Sequence, residues 1–387
     1  MNARHLFTLA ITTALVISCK SKEKSAQESS PTWPGQMQSM AQDVKNLLPF
    51  LYDKQSFSDP KNKELIRRSL KDFGQAAHQV KPQTGKPYLG DDLLIEYSLN
   101  NLKEDLNRAL LTFDNGQYEY SRSVAKASMG HCFRCHSVGA PGASAAWDLE
   151  EIHNLNIAPI EKADLLVATR KFDKALSYME STLNSPEFLK AYAFDFEAML
   201  RRYLALIIRV ENAPTRALTE LDKILNRGDT PQYIAEQAKG WRQSLKAWAS
   251  EKSRPPKNAA DMLAQVEKRF KRAHAIQHFE KDHAGDVEYL RATSLLHQGM
   301  KLLKKPEDQA RALFLLGNAY EVLDELGSWN LHETYYEACL FKLPKSQTAK
   351  NCYNRLEASL TMGYSGSAGT NLPPEEKERL RRLKEQI

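Results

Sequence analysis

The residues best suited to chemistry lie in one short run, Cys132-Phe133-Arg134-Cys135-His136. Two thiols with a two-residue spacer can both reach the same edge of a porphyrin and add across its two vinyl groups. The adjoining imidazole then projects under the ring, where its nitrogen binds iron as the proximal ligand. The expectation is one covalent haem c on Cys132 and Cys135, with iron held by His136. A thioredoxin-like redox pair would need a strand–helix–strand setting, and half a zinc site would need a second ligand pair. The sequence offers neither. No second Cys-x-x-Cys-His string occurs, and no carboxylate pair, nucleophile with base, or glycine-rich phosphate loop stands out. Whether the chain is an enzyme stays open, with electron transfer expected ahead of catalysis.

Helices must position these groups. Hydrophobic residues make up 42% of the 387, and Gly and Pro number 17 each, which favours an all-α fold over a turn-rich β fold. Trp33, Met37, Met40, Val44, Leu47 and Leu51 recur at steps of three and four, the stripe of an amphipathic helix. Asp59-Pro60 reads as a helix start leading into Ile66, Leu70, Phe73, Ala77 and Val80. After a break over residues 81–90, Ile95, Leu99, Leu102, Leu106, Leu110 and Phe113 form a third stripe, closed by Asn115-Gly116. A fourth helix is expected from about Tyr118 to the Cys-x-x-Cys-His run. Four helices over 33–140 have the size and pattern of a four-helix bundle.

The segment 137–146 is small, flexible and almost uncharged, so a linker is placed at 141–153. Beyond it, Arg170-Lys171-Phe172 leads into Ala175, Met179, Thr182, Leu183 and Pro186, and Leu313, Leu316, Gly317 and Tyr320 precede Gly327, Trp329, Tyr336, Cys339, Leu340 and Pro344. These spacings resemble the two helices of a tetratricopeptide repeat, weakly echoed by Ala217, Leu221, Ile224 and Leu225. The resemblance implies an α-solenoid over 154–387, although 230–300 is helical by periodicity without fitting the consensus. A helical domain without true repeats is the plainer reading. The basic run around Val266–Arg272 and the charged C-terminus read as a solvated face and a capping helix.

Residues 33–140 resemble the class II c-type cytochromes, the cytochrome c-prime group, four-helix bundles with the attachment motif near the end of the last helix. In low-spin members a first-helix methionine is the sixth iron ligand. Met37 and Met40, 99 and 96 residues before His136, are the matching positions, with Met40 the first choice. Without such a ligand the iron is five-coordinate and open to small gases. Met129 and His131 are too close to the tethered edge to reach the far face. Arg134 and Lys126 are candidate partners of a haem propionate, and His78 and His153 read as solvated. The long C-terminal extension departs from the family and argues against a freely diffusing shuttle.

The N-terminus has a short basic stretch, an apolar run Leu6–Ile17 and then Val16-Ile17-Ser18-Cys19, which resembles the lipobox of bacterial lipoproteins. Residues 1–18 are therefore expected to be a signal peptide, Cys19 the acylated residue, and 19–32 a polar tether. The apolar run is too short to span a bilayer, which takes ~20 residues. Cys339 and Cys352 remain, either joined as a disulfide in an oxidising compartment or buried as two thiols. The formal charge of +6, from 54 basic and 48 acidic residues, is too small an excess for a nucleic-acid footprint. The expected protein is an exported, lipid-anchored monohaem cytochrome at a bacterial membrane, the outer membrane preferred because Lys20 follows Cys19. It passes single electrons to and from a redox partner, with the repeats docking a protein. The alternatives are a haem-based gas or redox sensor and a structural interaction lipoprotein.

Overall fold

The computed structural model describes residues 33–80, 93–137, 154–252, 254–323, 330–367 and 369–387. The expected signal peptide, Cys19, the tether, the whole linker with His153, Gly327 and Trp329 lie outside them. The fold is all-α. Helix α1 (Trp33–Leu51) turns at Asp53, whose carboxylate accepts from the Gln55 and Ser56 amides at 2.9 and 3.2 Å and so caps the short α2 (Lys54–Ser58). Asp59 does start a helical segment, but as a 3-10 turn, Pro60–Asn62, which runs into α3 (Lys63–Gln79). Helix α4 (Leu93–Asp114) follows, and Gly116, at φ 77°, makes the tight turn to α5 (Tyr118–Ala127).

The expected continuous fourth helix is broken. Helix α5 ends at Ala127, the Ser128 hydroxyl turns back onto the Ala125 carbonyl at 2.7 Å, and the His131 and Cys132 amides bond the carbonyls of Ser128 and Met129 at 3.1 Å. These are three-residue steps, tighter than an α-helix, and Gly130 behind them is a weak helix former. The attachment run then forms its own helix, α6 (Gly130–His136). In the packing of this region α3 lies against α1 and α4, α4 against α5 and α6, and α6 also against α7 (Pro159–Ala168). Leu47, Leu51, Phe57, Ile66, Leu70, Phe73, Leu106 and Phe113 are fully buried between these helices. The Ser121 hydroxyl satisfies the Ala109 carbonyl at 2.7 Å, and Arg122 reaches the Leu51 carbonyl at 2.7 Å.

From α7 the chain continues through α8 (Phe172–Leu183), α9 (Pro186–Ala191) and α10 (Ala193–Leu206), the last prolonged by a π-helical turn, Ile207–Glu211. Then come α11 (Pro214–Leu225) with α12 (Gln232–Ser250), α13 (Ala259–Ile276) with α14 (Asp286–Gly299), and α15 (Pro306–Val322) with α16 (Leu331–Lys342), consecutive helices packed in pairs. Helix α17 (Gln347–Gly363) packs on α16, and Cys339 and Cys352 join the two by a disulfide with S–S 1.94 Å. A two-residue antiparallel hairpin, Ser365–Gly366 with Gly369–Thr370, precedes α18 (Pro374–Lys384). Helix α16 also touches α4, and Trp33–Ile387 forms one compact unit. No described helix is long and apolar enough to cross a membrane.

The basic run on α13 is not merely a solvated face, which corrects the sequence expectation. Arg269 and Arg272 turn toward Glu251 at 3.5 and 3.3 Å and toward the buried Glu288 at 3.7 and 4.0 Å, because α14 brings a carboxylate onto that side of the helix.

Candidate haem-attachment site

Helix α6 presents the two thiols one helical turn apart, so Cys132 and Cys135 share a side of it. Both are half-buried and neither is in a disulfide. Burial pushes the Cys132 thiol up to about 12, with Cys135 and then Asp164 adding to the effect, so at neutral pH it carries its proton. His136 is half-buried, and its Nδ1 is closed off from solvent without a hydrogen-bond partner among the described residues. Its imidazole is held down to about 4, first by burial and next by the charge of Arg170. The Ala168 and Val167 carbonyls at the end of α7 act in the opposite direction. His136 is thus a neutral imidazole, the form that donates a lone pair to a metal.

Helix α6 also meets α4. His131 is buried with its Nε2 2.9 Å from an Asp105 carboxylate oxygen, a contact that accounts for it structurally. Arg134 is 9% exposed, its guanidinium carbon 6.0 Å from the centre of the Tyr97 ring, with Nε and Nη1 unpartnered among the described residues. Arg134 thus packs against α4. Lys126 pairs with Glu161 of α7 and lies 5.3 Å from the centre of the Tyr52 ring. Met129 is buried, and His78 is exposed, 3.4 Å from Asn107.

Met40 is buried and Met37 half-buried, both on the packed face of α1. That helix rests mainly on α3, α2 and α5, whereas α6 rests on α4 and α7. Sequence reasoning missed the wall that α7 and α10 build against α6. Arg202 of α10 holds its guanidinium carbon 5.5 Å from the centre of the Phe133 ring and donates from Nε to Asp164 of α7 at 2.8 Å. Nothing in the spacing of Glu161, Asp164 or Arg202 pointed to a site more than twenty residues upstream, since their link to it is tertiary. An open polar groove between α11 and α12, lined by Asp222, Lys239, Arg242 and Lys246, brings together no reactive set.

The donors on α6 fit a covalently attached porphyrin: two thiols on one side of one helix, followed directly by an imidazole with an unsatisfied buried nitrogen. Compared with known proteins, the chain matches no family model, no curated sequence and no solved structure.

Proposed function

We propose that this chain is an exported, lipid-anchored monohaem c-type cytochrome that transfers single electrons between protein partners. The observation that carries the reading is the arrangement on α6, where Cys132, Cys135 and His136 offer two thioether positions and an axial nitrogen within one short helix. When bound, the haem supplies reversible one-electron chemistry, accepting an electron from a reduced partner and passing it to an oxidised one. The protein's own part is to anchor, orient and shelter. Cys132 and Cys135 would hold the porphyrin, and His136, with Met40 or Met37, would supply donors to its iron. The apolar core between α1, α3, α4 and α5 excludes water.

In this reading α1, α3, α4 and the α5–α6 segment are the four-helix bundle of a class II cytochrome. The helix pairs over 154–387 are a tetratricopeptide-like α-solenoid that docks a protein partner. Support for the solenoid comes from the pairwise packing and from Gly317, where an added Cβ would lie 2.4 Å from Cε1 of Tyr336, the close helix approach a repeat demands. Cys19 carries the lipid, the outer membrane is the favoured location, and no nucleic acid is involved.

The test is the mature chain produced in a host that attaches c-type haem. Pigment that stays with the polypeptide in acid acetone, and is released from it in the Cys132→Ser/Cys135→Ser double variant, is the expected result. A colourless product overturns the reading. Prompt carbon monoxide binding by the unmutated ferrous protein would redirect it from electron transfer to gas sensing.

A further inference from the structure

Helix α6 belongs to the N-terminal third of the chain, yet much of its cover comes from beyond the linker. Helix α7 presents Glu161 and Asp164 one turn apart, and each holds a cation next to the attachment run. Asp164 accepts from Arg202 at 2.8 Å, both side chains being 17% exposed, and that guanidinium lies over Phe133, the residue after Cys132. Glu161 pairs with Lys126, which in turn covers the Tyr52 ring, and its other oxygen accepts from the Ala158 amide at 3.1 Å. Both pairs therefore sit in partly dehydrated surroundings, where a unit charge acts much further than it does in water.

We propose that these two ion pairs, Asp164–Arg202 and Glu161–Lys126, are part of the haem site and balance the charge beside the attached ring, so that helices past the linker set the potential of an iron held by helices before it. The inference rests on the haem reading above. Its physical basis is that ferric iron carries one more positive charge than ferrous iron, so nearby anions favour the ferric state and nearby cations the ferrous state. With each carboxylate matched by a cation, the pairs are neutral together. Removing a carboxylate alone leaves a positive charge facing the site. Asp164 also acts on the Cys132 thiol, and both carboxylates act on the Tyr52 hydroxyl, which ties the acidic face of α7 to the same spot. Neither residue belongs to the attachment motif, so both are positioning residues.

The experiment measures the midpoint potential of the haem-loaded full chain by spectroelectrochemistry. The variants are Asp164→Asn, Glu161→Gln, Asp164→Asn/Arg202→Gln and, as a remote control, Arg242→Gln, whose partner Asp222 lies in the α11–α12 groove. Asp164→Asn shifts the midpoint upward, the double variant brings it back toward the unmutated value, and Arg242→Gln leaves it in place. Glu161→Gln gives a smaller upward shift. It also keeps the test alive if Asp164→Asn fails to fold, since glutamine keeps an oxygen that can accept from the Ala158 amide and so preserves the helix cap. A purely structural role would not be undone by the second substitution, which disturbs the packing further while restoring neutrality. Unchanged potentials in both single carboxylate variants, with haem present, overturn this inference and leave the proposed function standing. Absence of covalent haem from the unmutated chain overturns the function itself.

Discussion

Burial acts on the residues of α6 in opposite directions. It holds the Cys132 thiol in its protonated form and His136 in its neutral form, because in each case the charged species is the one that loses water. A neutral imidazole is ready as a donor. The distal position is the next question at this scale. Met40→Ala is expected to abolish the sulfur-to-iron charge-transfer absorbance of the ferric protein while Met37→Ala keeps it. Because Met40 is buried, its truncation also costs roughly 2–5 kcal/mol of stability, read by urea unfolding. Loss of the band in Met37→Ala alone would move the ligand to that residue. A second titratable site lies far along the chain. His332, its Nε2 2.6 Å from the Ser359 hydroxyl, is held down to about 4 by burial, with Lys281 and Arg355 working in the same direction and Glu321 against it. The unfolded chain takes up this proton first as the pH falls, so the His332 contribution to stability is complete above about 6.5 and disappears as the pH drops toward 4. Thermal midpoints over that window should fall less steeply in His332→Gln than in the unmutated protein.

Elements turn these residue effects into geometry. The interruption after Ala127 lets α6 take its own direction, so that His131 and Arg134 meet α4 while Phe133 meets Arg202. A single straight helix would have kept the attachment run in register with α5. Helices α15 and α16 illustrate how closely two elements can approach. Gly317 lies under the Tyr336 ring, whose hydroxyl donates to Asn318 and Glu321 at 2.8 and 2.7 Å. A methyl group there would push the ring off both partners. Gly317→Ala should therefore cost about 1–3 kcal/mol, measured by urea unfolding, despite the better helix propensity of alanine. An unaffected midpoint would mean that the ring has room to yield. The disulfide closes the following pair, bridging residues 13 apart and holding α16 against α17.

Across the whole molecule, ion pairs join helices distant in sequence. Arg201 of α10 donates to Asp286 of α14 at 2.8 Å, and both side chains are 2% exposed. Desolvating the two charges offsets most of their attraction, so the pair adds little net stability, but removing the Asp286 charge leaves the buried Arg201 guanidinium less well compensated. Asp286→Asn should destabilise the chain by about 3–5 kcal/mol in chemical denaturation. A loss under 1 kcal/mol would show that water reaches Arg201. Helix α10 carries Arg201 inward and Arg202 toward α6, so it links the interior of the C-terminal helices to the attachment site. The contact of α16 with α4 brings late and early parts of the chain together a second time.

Short-range patterns were readable in the amino-acid string because they depend on neighbours within a few positions. The stripe Met37–Leu51, the turn at Asn115-Gly116 and the all-α character follow from apolar spacing and from backbone preferences that operate locally. The Cys-x-x-Cys-His run is equally local, since one helical turn spans it. Other features needed the chain to close on itself. The split between α5 and α6, the acidic wall of α7, the capture of Arg269 and Arg272 by Glu251 and Glu288, and the burial of Arg201 with Asp286 all pair residues that no fixed spacing relates. Charge and burial at such positions are set by what a remote helix brings, so only the tertiary structure decides them.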